Sequence, residues 1–350
     1  MPWFVSSNGR TRASGTRAVR VCIVGLGAVG GLIAARLASA GNRVSAYARG
    51  ATLQAVASQG LRLQEGEEEQ RAHVDVSGDT HALGPQDLLI IALKSHALPS
   101  ALPHIEALLE PPHTQVLTVM NGVPWWFAHG LGDAARGLPM QRVDPGGALS
   151  SAIAPSRVIG AVANLSASTP EPGLVQARPG ARLTIGEPMG GCDSRRCRDV
   201  MAMLAGAGFQ VEGSPGIQQT LWFKLWGNMT VNPITAITGA TADKVVGDEL
   251  VRAFMTRCMG EAAAIGERLG LHIGQDAEDR HAVTARLGAF RTSMLQDVQA
   301  GRSVELDTLI GVVTDFARHL GVPSPNIDAL FGLARLHASV LGLYETTAAT

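Results

Sequence analysis

The run Gly25-Leu26-Gly27-Ala28-Val29-Gly30 constrains the fold more than any other feature of this chain. It leaves the apolar stretch Val19 to Val24 and enters a segment with apolar residues at Val29, Leu32, Ile33, Leu37 and Ala40, stopped by Gly41. That reads as a buried strand, a tight loop and an amphipathic helix. In such a loop the first glycine permits the turn. The second lets a pyrophosphate approach the backbone, and the third lets the helix pack against the strand. The free N–H groups and positive dipole end of the helix then favour phosphate. A ligand-free glycine turn is the plainer alternative, and the strand–loop–helix context argues against it.

The pattern continues. Val44 to Ala48 is expected as a second strand, and Gly60-Leu61 opens another extended stretch. Asp87 to Leu93 and Gln115 to Met120 are continuous apolar runs of the kind buried in a parallel sheet. Strands alternating with helices predict an α/β Rossmann-type, doubly wound sheet. Residues 122–156 break the rhythm with Gly, Pro and two tryptophans and read as an insertion. Extended segments near 157–165 and 183–187 and a helix near 194–207 follow. Gly213-Ser214-Pro215-Gly216 marks a hinge. Beyond it the spacing predicts helices near 217–236, 247–269, 276–298, 305–320 and 326–343, an all-α C-terminal domain. The expected organisation is a flexible lead-in over 1–18, a dinucleotide-binding domain over 19–214 and a helical substrate domain over 215–350.

The end of the second strand selects the dinucleotide. An NAD site places Asp or Glu there for the ribose hydroxyls. This chain reads Ser45-Ala46-Tyr47-Ala48-Arg49 instead. A guanidinium fork at Arg49 suits a 2′-phosphate, so NADP(H) is the expected cofactor. Lys94, at the C-terminal end of the Asp87 to Leu93 run, is a second candidate phosphate cation.

Composition removes other classes. With 350 residues, a net charge of −1 and 17% charged residues, the chain lacks the basic excess of a nucleic-acid binder. Arg195-Arg196-Cys197-Arg198 reads as a solvated helix face. Cys22, Cys192, Cys197 and Cys258 form no C-x-x-C, and no histidine cluster has metal-ligand spacing. A Cys192–Cys197 pair is open, but reduced thiols in a cytoplasmic protein are expected. No apolar run approaches a membrane span, and residues 1–18 lack the apolar core of a secretory signal.

Lys224, Asn228 and Asn232 are spaced by four within a strongly apolar segment. On a helix they share one face. A buried stripe of one amine and two carboxamides is costly without partners, and such groups commonly line a ligand cavity. A solvated stripe on a half-exposed helix is the plainer reading.

At this point the chain resembles the ketopantoate reductase family. The resemblance runs from about Val19 to about Leu336. It rests on the glycine loop, Leu93-Lys94, Asn121-Gly122, Lys224-x3-Asn228-x3-Asn232-Pro233, Ser293 to Asp297, Gly301 to Gly311 with Glu305, and Gly321 to Asn326. It implies NADPH-dependent reduction of a 2-keto acid, ketopantoate, to pantoate on the route to pantothenate and coenzyme A. By position, Lys224 is implied as general acid, with Asn228, Asn232 and Ser293 holding substrate. Asn121 is implied between nicotinamide and substrate. Glu305 is implied to contact the cofactor and orient Lys224, while Arg49, Lys94 and Ser166 are implied at the cofactor. A homodimer is open. Two rivals remain: a paralogue acting on another keto substrate, and a non-catalytic NADP(H) sensor.

Departures bear on the substrate more than on the reaction. Asn121-Gly122 leads into Val123-Pro124-Trp125-Trp126-Phe127 and the insertion, so Trp125 and Trp126 either cap a hydrophobic cluster, as aromatics usually do, or, on the sharper reading, at least one lines the substrate cleft. A substrate-binding Asn of the family stands here as Ala242, and another as Phe290.

Overall fold

The apolar runs become the middle of a sheet, as their lack of a polar face requires. The computed structural model describes residues 19–344, so the expected lead-in over 1–18 lies outside the described residues. Twelve strands occur among them: β1 Val21–Val24, β2 Val44–Tyr47, β3 Leu61–Glu65, β4 Glu68–Ala72, β5 Asp75–Ser77, β6 Leu88–Ile91, β7 Gln115–Val119, β8 Val158–Asn164, β9 Ala167–Glu171, β10 Leu174–Ala177, β11 Arg182–Gly186 and β12 Gln210–Gly213. Eight form one sheet in the order β12-β11-β8-β7-β6-β1-β2-β5. Its neighbours run parallel except β8 with β11, which run antiparallel.

A second, four-stranded sheet, β4-β3-β10-β9, was not expected. The reason is visible in β4, where Glu68-Glu69-Gln70-Arg71 are all exposed and carry no apolar pattern.

The helices are α1 Ala28–Ser39, α2 Gly50–Gln59, α3 Thr80–Leu83, α4 Leu98–Glu106, α5 Ala148–Ala152, α6 Arg195–Gly206, α7 Ile217–Thr238, α8 Ala242–Gly247, α9 Glu249–Arg268, α10 Ala277–Ala285, α11 Ser293–Gln299, α12 Val312–Leu320 and α13 Pro325–Val340. The single helix expected over 276–298 is broken into α10 and α11. Gly288 adopts φ +65°, and Thr292 starts a new helix by accepting the Leu295 N–H. The helix expected over 305–320 opens with a π-helical turn, Asp307–Gly311, before α12.

Strand residues alternate between two cores. Val21 and Ile23 join α1, the small sheet and α6, whereas Cys22 and Val24 join α4, residues 123–153 and the helical region. The helical region therefore shares a core with one face of the large sheet.

The 122–156 segment fills the join. Trp125 and Trp126 are each 2% exposed. The Trp126 indole donates to Thr118 Oγ1 at 3.0 Å, and its ring lies over Gly160, where a Cβ would come within 2.6 Å. Phe127 packs 5.9 Å from Trp222 and 6.0 Å from Phe316. Arg142 pairs with Asp307 at 3.1 Å and Asp315 at 2.5 Å. The sharper reading, that a tryptophan lines the substrate cleft, is thus corrected: both belong to the core joining sheet and helices.

Candidate active site

β1 sits between β2 and β6, so the glycine loop emerges at the C-terminal edge of the sheet, where such sheets bind ligands. Gly25 has φ +103°, and a Cβ there would strike Leu93 Cδ2 at 2.8 Å. A Cβ on Gly30 would come within 2.0 Å of the Gly25 carbonyl oxygen, so α1 packs this closely only because of glycine.

A Cβ on Gly27 would meet nothing within 4 Å. Gly27 lies on the wall of a cleft of about 440 Å³, with Gly25, Leu26, Arg49, Thr52 and Leu93. Ala28, Val29 and Gly30 form the first turn of α1, whose N-terminus has no side-chain cap, leaving N–H groups for an anion. Arg49 is exposed and has no ion pair or side-chain hydrogen bond among the described residues. These features fit a dinucleotide with its pyrophosphate at α1 and a phosphate near Arg49.

Two expected cofactor residues have protein partners of their own. Lys94 is not on the cleft wall. Its ammonium pairs with Asp297 at 2.8 Å and donates to the Ser303 carbonyl at 3.0 Å, tying the sheet to the helical region. Ser166 is exposed between β8 and β9, where its carbonyl accepts the Arg178 N–H at 2.9 Å. Arg302, which the sequence reading left without a role, reaches the cleft wall and pairs with Asp297 at 3.0 Å. Thr52 was also missed. Neither has a signal in the sequence beyond Arg302 lying in the Gly301 to Gly311 motif.

The predicted polar face of α7 is present. From it, Lys224 Nζ donates to Asn121 Oδ1 at 3.0 Å and to the Ala163 carbonyl at 2.6 Å. Asn121 follows β7 and Ala163 lies in β8, so the ammonium is clamped over the C-terminal ends of two adjacent strands. The loop carrying Asn121 is fixed by Gly122, at φ +75°. A Cβ there would lie 2.5 Å from the Thr308 carbonyl oxygen, which also accepts the Val123 N–H at 2.8 Å.

Burial pushes the Lys224 pKa down to about 8; nearby Glu305 opposes the shift and Arg280 adds to it. Burial likewise raises the Glu305 pKa, against the hydrogen bond it accepts from the Ser95 N–H at 2.9 Å. Glu305 makes no hydrogen bond to Lys224, so it acts on the lysine through its field.

Asn232 is 5% exposed, and neither its side chain nor that of Asn228 has a hydrogen-bond partner among the described residues. Ser293 is the exposed first residue of α11. The preceding Thr292 hydroxyl bonds Thr235 at 2.6 Å, and Thr235 in turn donates to the Asn232 carbonyl, which seats Ser293 beside the end of the polar face. Among the described residues no cluster of His, Cys, Asp or Glu could hold a metal, and no helix is long and apolar enough to cross a membrane.

Comparison with known proteins decides the family. Residues 21–190 match the model of ketopantoate reductase PanE/ApbA, and residues 216–338 match that of its C-terminal part. The chain belongs to the ketopantoate reductase family. A 2-dehydropantoate 2-reductase from Mesorhizobium japonicum is 42% identical, covering 93% of this chain and all of that protein. A solved chain from Ralstonia solanacearum is 47% identical with a TM-score of 0.87, covering 93% and 100% of the two chains. A PanE/ApbA family ketopantoate reductase from Ralstonia eutropha has a TM-score of 0.79 at 27% identity, over 92% and 99%. Membership of this reductase family covers both the glycine-loop region and the helical region, so the cleft and the lysine face belong to one enzyme.

Proposed function

We propose that this protein reduces a 2-keto acid to the 2-hydroxy acid with NADPH, the substrate being 2-dehydropantoate. The observation that carries the reading is the Lys224 ammonium, held by Asn121 and the Ala163 carbonyl at the C-terminal edge of the same sheet from which the glycine loop and its cleft emerge. The bound dinucleotide supplies a hydride to the keto carbon. Negative charge then grows on the keto oxygen, and Lys224 Nζ both stabilises it and gives it a proton. A pKa of about 8 keeps the amine protonated at neutral pH while making it a better acid than an exposed lysine. Asn228 and Asn232 offer unused amides to the substrate, with Ser293 beside them. Asn121 orients the ammonium, and the Glu305 field keeps it charged.

Purified protein should oxidise NADPH with 2-dehydropantoate faster than with other 2-keto acids. A marked preference for a different one identifies a paralogous reductase, a reading favoured by Ala242, which is fully buried, and by Phe290. Tight NADPH binding without oxidation by any carbonyl compound identifies a sensor. The same reading includes a cytoplasmic setting, consistent with four free cysteines, and a homodimer. Leu333, Leu336 and Val340 form an exposed stripe on α13, and light scattering tests whether two chains cover it.

Arg49 sets the cofactor preference in this account. Arg49→Ala should weaken NADPH binding by about 1.5 kcal/mol, the low end for a charge-assisted pair because the arginine is exposed, and leave NADH unchanged. Fluorescence titration of both cofactors checks this. Equal binding of the two by the unaltered protein contradicts it.

A further inference from the structure

A guanidinium cannot lose its proton at ordinary pH, so when it is buried something must meet its charge. Arg280, on α10, is half-buried and lacks such a partner in the chain. Its Nε is buried without a hydrogen bond, and among the described residues no carboxylate lies within ion-pair distance of it. Its guanidinium carbon lies 5.6 Å from the centre of the Phe223 ring, over the ring's face.

The group lies flat against α7. A Cβ on Gly227 would come within 2.4 Å of Arg280 Nε and 2.8 Å of Nη2, so glycine at that position is what admits it. Gly227 is three residues beyond Lys224 and directly precedes Asn228. The cation therefore sits beside the polar face of α7, close enough for its charge to be felt at Lys224. α8 packs on α10, and at its start the Ala242 N–H donates to the Phe290 carbonyl at 2.9 Å, while the Thr241 hydroxyl is engaged by Asp243.

A 2-keto acid carries its carboxylate on the carbon next to the keto carbon. Whatever holds that carboxylate must lie beside the residue that protonates the keto oxygen. The position of Arg280 meets that requirement, and its planar fork matches a carboxylate. We infer that Arg280 recognises the substrate carboxylate and makes the enzyme select 2-keto acids over uncharged ketones. The inference rests on the reductase reading above.

The test compares a 2-keto acid substrate with its uncharged methyl ester, using NADPH-loaded unaltered enzyme, Arg280→Gln and Arg280→Lys. Arg280→Gln should raise KM for the acid by about 10- to 100-fold, the loss of one charge-assisted pair. KM for the ester and NADPH affinity should hardly move. Arg280→Lys should restore part of the loss. An unchanged KM for the acid, or equal rises for acid and ester, overturns the assignment. If Arg280→Gln does not fold, Arg280→Lys decides alone: a rise confined to the acid supports the role, and an equal rise in both removes it. Unaltered enzyme that reduces neither compound overturns the reductase reading itself, and that failure is seen before any substitution is made.

Discussion

Replacing Lys224 by methionine should lower kcat by at least about 10²-fold, the usual contribution of a placed proton donor. Methionine keeps most of the apolar stem but removes the charge and the proton. The fold should tolerate the change because the ammonium is itself costly to bury, as its lowered pKa records. The loss should fall on kcat more than KM, since the bond to the keto oxygen strengthens only as charge develops there. Asn121 and the Ala163 carbonyl each lose a donor, but both residues are only part-buried, so water can replace it. NADPH affinity, measured by fluorescence on the same preparation, should stay near that of the unaltered protein. Near-normal turnover by Lys224→Met with NADPH still bound removes Lys224 as the acid.

Trp126→Ala should have the largest effect on stability, about 3–5 kcal/mol, as for other buried aromatic truncations. The substitution empties the space over Gly160 and removes the donor to Thr118 Oγ1 in the core that joins sheet to helices. Thermal or urea unfolding checks the magnitude. The ratio of activities among keto acids should not change, because the indole touches the core rather than the cleft. A shifted preference at normal stability would instead place the ring in the substrate site.

The parts of the site legible in the sequence are those set by local geometry. A spacing of four puts Lys224, Asn228 and Asn232 on one helical face whatever the helix packs against. Glycines at 25, 27 and 30 similarly report a turn and a close approach that other residues cannot make. Lys94 shows where this ends. Its place at a strand end was readable, but its pairing with Asp297 depends on a residue about two hundred positions away. Arg280 was illegible for the same reason: on α10 it looks like any surface arginine, and only the packing against Gly227 shows it to be half-buried beside the Lys224 face. For Trp125 and Trp126 the hydrophobic-cluster reading holds and the cleft reading does not, because adjacency to Asn121 in sequence says little about direction. Gly122 turns the chain, and they point into the core. In the fold, apolar runs revealed the central strands, whereas the charged β4 and the Gly288 break between α10 and α11 carry no periodic signal.

The central claim is that a buried ammonium at Lys224 donates the proton to a 2-keto acid, and the pH dependence of kcat/KM for the keto acid tests it most directly. The folded-state pKa is lowered from 10.5 to about 8, so Lys224 is protonated below that value and loses its proton as pH rises through it. The account predicts a kcat/KM that is level through neutral pH and falls about tenfold per unit above about pH 8, with no such fall in the residual activity of Lys224→Met. A kcat/KM profile for the keto acid that stays level to pH 10 in the unaltered enzyme, at saturating NADPH, contradicts it.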